Sequence, residues 1–176
     1  MKKIVGIFLL AVLLVQSAFA AHHNPDESIK KTQVGYDSPE GVRIPLYAGS
    51  LDTVDIWIRY MKAHDDNDLE AIRRANADDF KAWASDGRVI ESTEAQMALL
   101  RDWFDTSNPK WVHRYSIASE FTDREGNLQQ WVTTGWDLTE TVDGVEVKRQ
   151  EIFDVLIVGG KIKNIYIAAR PINESE

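Results

Sequence analysis

The stretch VEVKRQEIFDVLIVGGKIKNIYIAA, residues 145–169, determines the fold of this chain. An Asp-Gly pair at 143–144 precedes it and is a strong signal for a hairpin turn, and Gly159–Gly160 places a second tight turn inside it. The apolar runs on both sides of that turn are rich in valine and isoleucine, which favour strands. We therefore predict two adjacent strands, Val145–Val158 and Ile162–Ala169.

Three more strands are predicted upstream of this stretch. Gln130–Thr141 is rich in threonine, valine and tryptophan, and Trp111–Ile117 shows the alternation that is typical of a strand. A turn cluster, Asp123–Asn127, separates these two segments. The short run Phe80–Ala84 predicts a further strand nearer the N-terminus.

Helical spacing dominates the first half of the chain. It predicts one helix from about Leu51, with Asp52 as its N-cap, and a second from Asp68. Thr93 and Gln96 form a capping box that opens a third helix. Three helices followed by an antiparallel meander predict an α+β fold, in which a curved sheet carries the helices on one face.

The composition limits the class of protein. The chain has 176 residues, of which 44% are hydrophobic, and this suits one globular domain. It contains no cysteine, which excludes disulfides, thiolate metal sites and cysteine nucleophiles. With 20 basic and 28 acidic residues it lacks the basic surface that nucleic-acid binding requires, so we expect no nucleic-acid partner.

The first twenty residues have the pattern of a secretory signal. Lys2 and Lys3 precede an apolar run, Ile4–Val15, and the small–x–small cleavage pattern Ala18–Ala20. The run is shorter than the roughly 20 residues of a membrane-spanning helix, and the alternative is an uncleaved anchor. We expect a bacterial protein that is periplasmic or secreted and has no membrane contact after cleavage.

The domain boundaries follow from this signal and from the turn residues after it. We predict a signal peptide at residues 1–20, an N-terminal arm or linker at 21–50 and a folded domain at 51–176. The arm is predicted because proline and glycine recur in it and neither a helical nor a strand period is present. Cleavage removes two lysines and no acidic residue, which changes the net charge from −8 to −10.

Three segments carry a resemblance to a known superfamily. Asp65–Ile72 resembles its junction between the first two helices, Ala77–Phe80 its acidic entry into the first strand, and Asp154–Ile162 its final hairpin. Together with the order of elements, they make residues 51–170 similar to the nuclear transport factor 2-like (SnoaL-like) superfamily. The resemblance implies a cone-shaped α+β roll, in which a curved antiparallel sheet wraps around three helices and leaves a pocket at its open end.

Within that superfamily the chain is distantly similar to the ketosteroid isomerases. The similarity places Tyr60 where those enzymes carry an oxyanion-hole tyrosine, and Asp154 where they carry a protonated aspartic acid that donates a hydrogen bond. The position of their catalytic base is taken by Ala84, and Asp86 fits a turn better than a strand. The alternative is that both residues have structural roles. Tyr60 would then only pack in the core, and Asp154 would be hydrogen-bonded to Tyr60 or to a backbone amide.

His113 is the candidate for the missing base. It alternates with Trp111 and Tyr115, so the three residues are expected on one face of a strand, and the unperturbed pKa of histidine is close to neutral. If that face lines the pocket, Tyr60, His113 and Asp154 form the catalytic set. The alternative is a packed or surface histidine without a chemical role.

The aromatic residues predict how the pocket binds a ligand. The candidates for contact with a flat apolar molecule are Trp57, Trp83, Trp103, Trp111 and Tyr115. The alternative is that these side chains only build the core and a dimer interface. We expect no cofactor and no metal in the domain, and a homodimer formed through the sheet.

A separate hypothesis concerns the terminus that cleavage would expose. Ala21-His22-His23 has histidine in third place after a free amine, and such a terminus can hold Cu(II) or Ni(II) in a square plane of four nitrogens. The alternative is an accidental polar start on a tolerant arm.

We expect an exported protein that binds a small apolar molecule without demonstrated catalysis. The alternative is a cofactor-free isomerase, dehydratase or hydrolase acting on such a molecule, and the two hypotheses differ in whether the polar candidates converge on one substrate atom. A third possibility is that the sheet face binds a protein partner.

Overall fold

The computed structural model describes residues 31–172. Within this range it has the helices α1 (Leu51–Asp65), α2 (Leu69–Ala75) and α3 (Thr93–Ser107), and a 3-10 turn at Pro39–Gly41. Its strands are β1 (Gln33–Asp37), β2 (Ile44–Ala48), β3 (Asn76–Trp83), β4 (Val89–Ile90), β5 (Lys110–Thr122), β6 (Leu128–Val142), β7 (Val145–Val158) and β8 (Lys161–Pro171). The predicted signal peptide and the Ala21-His22-His23 motif lie outside the described residues.

These strands form one sheet in the order β1-β2-β5-β6-β7-β8-β3-β4. The antiparallel meander predicted from the sequence is present as β5 to β8, and β7 has the predicted ends. Both hairpin turns use residues with positive φ, at Asp143–Gly144 and at Gly159–Gly160, as tight hairpins require. The sheet as a whole is mixed rather than antiparallel, because β3 enters directly from α2 and runs parallel to β8.

The three helices lie where helical spacing predicts them, but two caps differ. Ser50 caps α1, since its hydroxyl accepts from the amide of Asp52 at 3.1 Å. Ser92 caps α3 in the same way, by accepting from the amide of Ala95 at 3.2 Å. Both serines have extended backbones, as an N-cap needs, whereas the residues predicted as caps already lie in the helices.

The stretch predicted to be an irregular arm contains the hairpin β1–β2. It joins the rest of the sheet through two residue pairs, Tyr47 with Glu120 and Ala48 with Ser119. The strand period was hidden because β1 and β2 have five residues each, with Gly35 in one and Pro45 in the other. Pro45 is tolerated because β2 is paired with β5 only at its end.

The two faces of the sheet have different environments. Along β7, Phe153, Val155 and Ile157 are buried against the helices, whereas Ile152 and Asp154 are exposed on the opposite face. The core lies between that inner face and the helices, with Trp57 of α1 and Phe80 of β3 among its largest side chains. No helix among residues 31–172 is long and apolar enough to cross a membrane.

Candidate functional site

A cavity of about 700 Å³ lies between the inner face of the sheet, α1 and α3. Most of its wall is apolar and aromatic, and it includes Trp57, Trp103, Trp111 and Phe153. The polar wall residues considered below are Tyr60, His64, Gln96, Glu140, Arg149 and Glu151. An apolar cavity with a few polar groups is the usual architecture of a small-molecule site.

Two buried glutamates and one arginine form a charged cluster in the wall. Arg149 Nη1 lies 2.6 Å from Glu140 Oε1, and Arg149 Nε donates to Glu151 Oε1 at 3.0 Å. The glutamates are 4% and 5% exposed, and the arginine side chain is 35% exposed. One guanidinium therefore faces two carboxyl groups at the edge of an apolar space.

Two indoles complete the hydrogen bonding of these carboxylates. Trp103 Nε1 donates to Glu140 Oε2 at 2.6 Å, and Trp111 Nε1 donates to Glu151 Oε2 at 2.9 Å. Each carboxylate oxygen therefore has one donor, which offsets the cost of burying charge. The two indole rings pack edge to face with centroids 5.4 Å apart, so the same pair of tryptophans forms apolar wall and polar support.

Strand geometry explains why these charges share one face. Arg149 and Glu151 are two residues apart in β7, and successive alternate residues of a strand point the same way. In the neighbouring strand β6, Leu138 pairs with Arg149, and Glu140 lies two residues beyond it. The cluster is therefore fixed by the register of two long central strands rather than by a loop.

Tyr60 is held by a relay of side-chain amides. Gln96 Nε2 donates to the Tyr60 hydroxyl at 2.8 Å, and Asn76 Nδ2 donates to Gln96 Oε1 at 2.7 Å. Burial raises the pKa of Tyr60 well above its ordinary value, so the hydroxyl keeps its proton. The tyrosine can therefore act as a neutral hydrogen-bond donor to a molecule in the cavity.

His64 lies one helical turn after Tyr60 and is also buried in the wall. Its Nδ1 lies 2.9 Å from the carbonyl oxygen of Tyr60, and a carbonyl can only accept. Burial lowers the pKa of His64 from 6.5 to about 4, so the ring is neutral at pH 7. His64 is not among the predicted site residues, because it follows the apolar stripe of α1 and no sequence motif marks it.

Of the predicted site residues, Tyr60, Trp57, Trp103 and Trp111 line the cavity. Their roles in catalysis or ligand contact stay predictions, since these observations concern position alone.

The predicted position of Asp154 in the pocket is wrong. Its side chain is exposed on the outer face of the sheet and accepts a hydrogen bond from Thr133 Oγ1 at 2.8 Å. Both alternating sets of β7 are apolar around this position, so the sequence pattern did not distinguish the two faces. The inward set contains Phe153 and Val155, and its carboxylate is Glu151.

His113 does not line the cavity either. It is exposed, packs on Trp136 with ring centroids 4.7 Å apart, and lies 2.9 Å from Ser116 Oγ through Nε2. Thr134 donates its proton to the carbonyl of Tyr115, so Ser116 must donate to Thr134 and accept from His113. The histidine is therefore a donor to the serine, which is the reverse of what activation of a serine nucleophile needs.

Tyr115 and Trp83 lie on the outer face, contrary to their prediction as pocket residues. A bulge between His113 and Tyr115 breaks the alternation of β5, so that these two residues pair with Trp136 and Gly135 and point to opposite faces. Trp83 stacks on Tyr166 across β3 and β8, with centroids 4.4 Å apart. Sequence alone does not reveal the bulge, because it depends on the register of β5 against β6.

The described residues provide no evident metal centre. Within 31–172, no group of three or more histidine, aspartate or glutamate side chains is arranged so that it could hold a metal ion. Two fully buried polar atoms in the same range have no hydrogen-bond partner, Trp57 Nε1 and Asn76 Oδ1. The first belongs to a residue of the cavity wall.

Comparison with solved structures establishes the fold. Similar structures include an epoxide hydrolase of the LEH-like type from Mycobacterium tuberculosis (TM-score 0.56, 13% identity, 69% of this chain and 84% of that one). They also include a ketosteroid isomerase homologue from Kribbella flavida (TM-score 0.57, 8% identity, 72% of this chain and 84% of that one). A third is a SnoaL-like polyketide cyclase homologue from Jannaschia sp. (TM-score 0.53, 15% identity, 66% of this chain and 84% of that one). No protein-family model and no curated protein matches the sequence.

The chain therefore has the nuclear transport factor 2-like (SnoaL-like) fold, as the resemblance of its sequence implied. Proteins of this fold include isomerases, hydrolases and cyclases, so the fold does not specify the reaction.

Proposed function

We propose that the cavity binds a small, largely apolar molecule and adds water to it, so that the protein is a cofactor-free hydrolase. The observation that carries this proposal is the Glu140–Arg149–Glu151 cluster, which forms part of the wall of an apolar cavity. A binding protein for an apolar molecule needs no buried pair of carboxylates, whereas acid–base chemistry does.

The substrate class that fits is an epoxide. In the proposed reaction the oxygen of a water molecule forms a bond to one ring carbon, and the bond from that carbon to the ring oxygen breaks. One glutamate is ionised and accepts a proton from the water, while the other is protonated at the start and donates that proton to the released oxygen, giving a diol. The pair holds one proton before and after the reaction, and the two glutamates exchange roles. Two carboxylates in one site can divide the roles of base and acid in this way, and Arg149 fixes their relative position.

The comparisons support this choice of reaction only at the level of analogy. One similar structure is an epoxide hydrolase, and its fold is shared by this chain. The isomerase alternative has less support here, since Asp154 lies on the outer face and His113 is exposed.

The test measures diol formation from styrene oxide and cyclohexene oxide by gas chromatography. We expect turnover above buffer by the wild type and a loss of roughly 100-fold or more in Glu140→Gln and Glu151→Gln. Asp154→Asn is the matched control, because it removes a carboxylate outside the cavity. A wild type that binds these epoxides but gives no diol would leave a binding protein and overturn the hydrolase.

We also propose that two copies associate through the outer face of the sheet. Exposed apolar side chains lie on three strands of that face: Tyr115 and Ile117 on β5, Ile152 on β7 and Tyr166 on β8. The Tyr115 ring lies over Gly135 of β6, which pairs with Ile152, so an apolar surface extends from β5 to β7. Exposed apolar surface of this kind is typical of an interface. Ile117→Lys should convert a dimer into a monomer in analytical ultracentrifugation, and a wild-type monomer would contradict the proposal.

Export is proposed from residues 1–20 and rests on the sequence pattern described above. Mass spectrometry of the protein from a bacterial periplasm should give a chain that begins at Ala21. An intact N-terminus would contradict cleavage.

A further inference from the structure

Tyr60 and His64 place two complementary polar groups side by side on α1. They are four residues apart, their ring centroids are 4.7 Å apart, and both side chains line the cavity. Residues at this spacing share one face of a helix. The pair is separate from the charged cluster, which is carried by β6 and β7.

The histidine supplies an acceptor. Its Nδ1 must carry the proton, because the partner of this atom is the carbonyl oxygen of Tyr60. Nε2 then carries a lone pair, and among residues 31–172 it makes no hydrogen bond. Phe104 and Trp111 pack edge to face against the ring, with centroids 6.1 and 5.9 Å away, so the walls around it are aromatic.

The tyrosine supplies a donor. Its oxygen already accepts from Gln96 Nε2, and the orientation of that amide is fixed because Asn76 donates to Gln96 Oε1. The hydroxyl proton has no acceptor among the described residues. The relay thus leaves the hydroxyl free to donate, while its lone pair is already in use.

We infer that Tyr60 and His64 form a subsite for a hydroxyl group on an otherwise apolar ligand. The ligand oxygen accepts from the Tyr60 hydroxyl and its proton is donated to His64 Nε2. A hydroxyl group offers one donor and one acceptor on a single atom, whereas a carbonyl or an ether can only accept. The inference depends on the proposed function for occupancy of the cavity by a small molecule, and does not depend on catalysis.

The test compares two probes that differ in one hydrogen-bond donor. Decahydro-2-naphthol can donate and accept, whereas its methyl ether can only accept. Binding of each is followed by nuclear magnetic resonance, through the indole N–H signals of Trp103 and Trp111. We expect the wild type to bind the alcohol about tenfold more tightly than the ether, since the ether leaves the histidine acceptor unpaired.

Two variants test which residue accepts and which donates. His64→Phe keeps an aromatic ring but removes the acceptor, so the ratio of the two dissociation constants should fall to about one. Tyr60→Phe removes the donor, so it should weaken the binding of both probes by a similar factor and leave the ratio unchanged. His113→Phe is the matched control, because it makes the same substitution outside the cavity and should change neither constant.

Because the two dissociation constants are compared within each protein, small changes in stability do not affect their ratio. His64→Gln keeps a hydrogen-bond acceptor and should therefore retain part of the preference for the alcohol. Equal binding of alcohol and ether by the wild type overturns the subsite while leaving the cavity and its hydrolase chemistry in place. Binding of neither probe overturns it as well. Loss of epoxide turnover in the glutamate variants, by contrast, tests only the proposed function.

Discussion

Replacing His64 with phenylalanine should make the domain less sensitive to acid. The ring is buried between Tyr60, Phe104 and Trp111, and its pKa is lowered from 6.5 to about 4 because the charged form would lose its hydration. The unfolded chain binds a proton at the ordinary pKa, so protonation favours unfolding. This contribution to stability is complete above about pH 6.5 and is lost progressively as the pH falls towards 4.

The difference between the two pKa values corresponds to about 3 kcal/mol, of which about 2 kcal/mol is lost between pH 7 and pH 5. Phenylalanine has a similar volume and no titrating group. The free energy of unfolding of the wild type should therefore fall by about 2 kcal/mol more than that of His64→Phe over this range. Urea titrations at pH 7, 6 and 5, followed by tryptophan fluorescence, measure both profiles.

Other titrating groups remain in both proteins and cancel in the comparison. Asp79, Asp86 and Asp123 have lowered pKa values, chiefly because Lys163, Arg88 and the Asn127 amide donate to them. Near the histidine, Asp65 accepts from the Trp111 amide and Glu151 accepts from the Trp111 indole. Parallel profiles for wild type and variant would refute the reasoning, since they would mean that the ring is accessible to water or charged in the folded protein.

Three further outcomes follow from contacts in the sheet and the cavity. Gly135→Ala should lower the free energy of unfolding by about 1–3 kcal/mol in urea titration, because the new Cβ would lie 2.3 Å from Tyr115 Cε1. Adding Tyr115→Ala should reduce the effect of the glycine substitution, and additive losses in the double variant would contradict this clash. Arg149→Met should lower the free energy of unfolding by about 3–5 kcal/mol, because both buried carboxyl groups lose their cationic partner. A change below about 1 kcal/mol in the same assay would mean that water reaches the cluster. Asp154→Asn should leave binding of decahydro-2-naphthol intact, because the hydrogen bond that it alters, to Thr133, lies on the outer face of the sheet and not in the cavity. Weakened binding would show that the outer face is coupled to the cavity.

The sequence predicted the fold well because its strongest signals are local. The Asp-Gly and Gly-Gly pairs fix two hairpins, and the spacing of Trp57 and Met61 fixes α1. The chemistry of the cavity depends on non-local facts. Glu140 and Glu151 become one cluster only through the register of β6 against β7, and surface charges on strands are far more common than buried ones.

The errors at Asp154 and Tyr115 have related causes. A strand whose two faces are both apolar does not show which face is inward, and this is the case around Asp154. A bulge reverses the side of every residue beyond it, and this moved Tyr115 away from Trp111 and His113. Glu140 and Glu151 are charged residues at inward positions of long strands, and this is the signal that could have identified them.

The hairpin β1–β2 is held to the sheet by fewer strand pairs than the strands of the meander are held to each other. Its strand pairing with β5 extends over Tyr47–Glu120 and Ala48–Ser119 alone, with one further amide bond from Gly49 to the carbonyl of Ala118 at 3.0 Å. The four-strand meander, by contrast, is paired along most of its length. None of the residues that line the cavity belongs to β1 or β2, so the hairpin can open as a unit without changing the cavity wall. Its amide protons should therefore exchange with solvent long before those of β6 and β7.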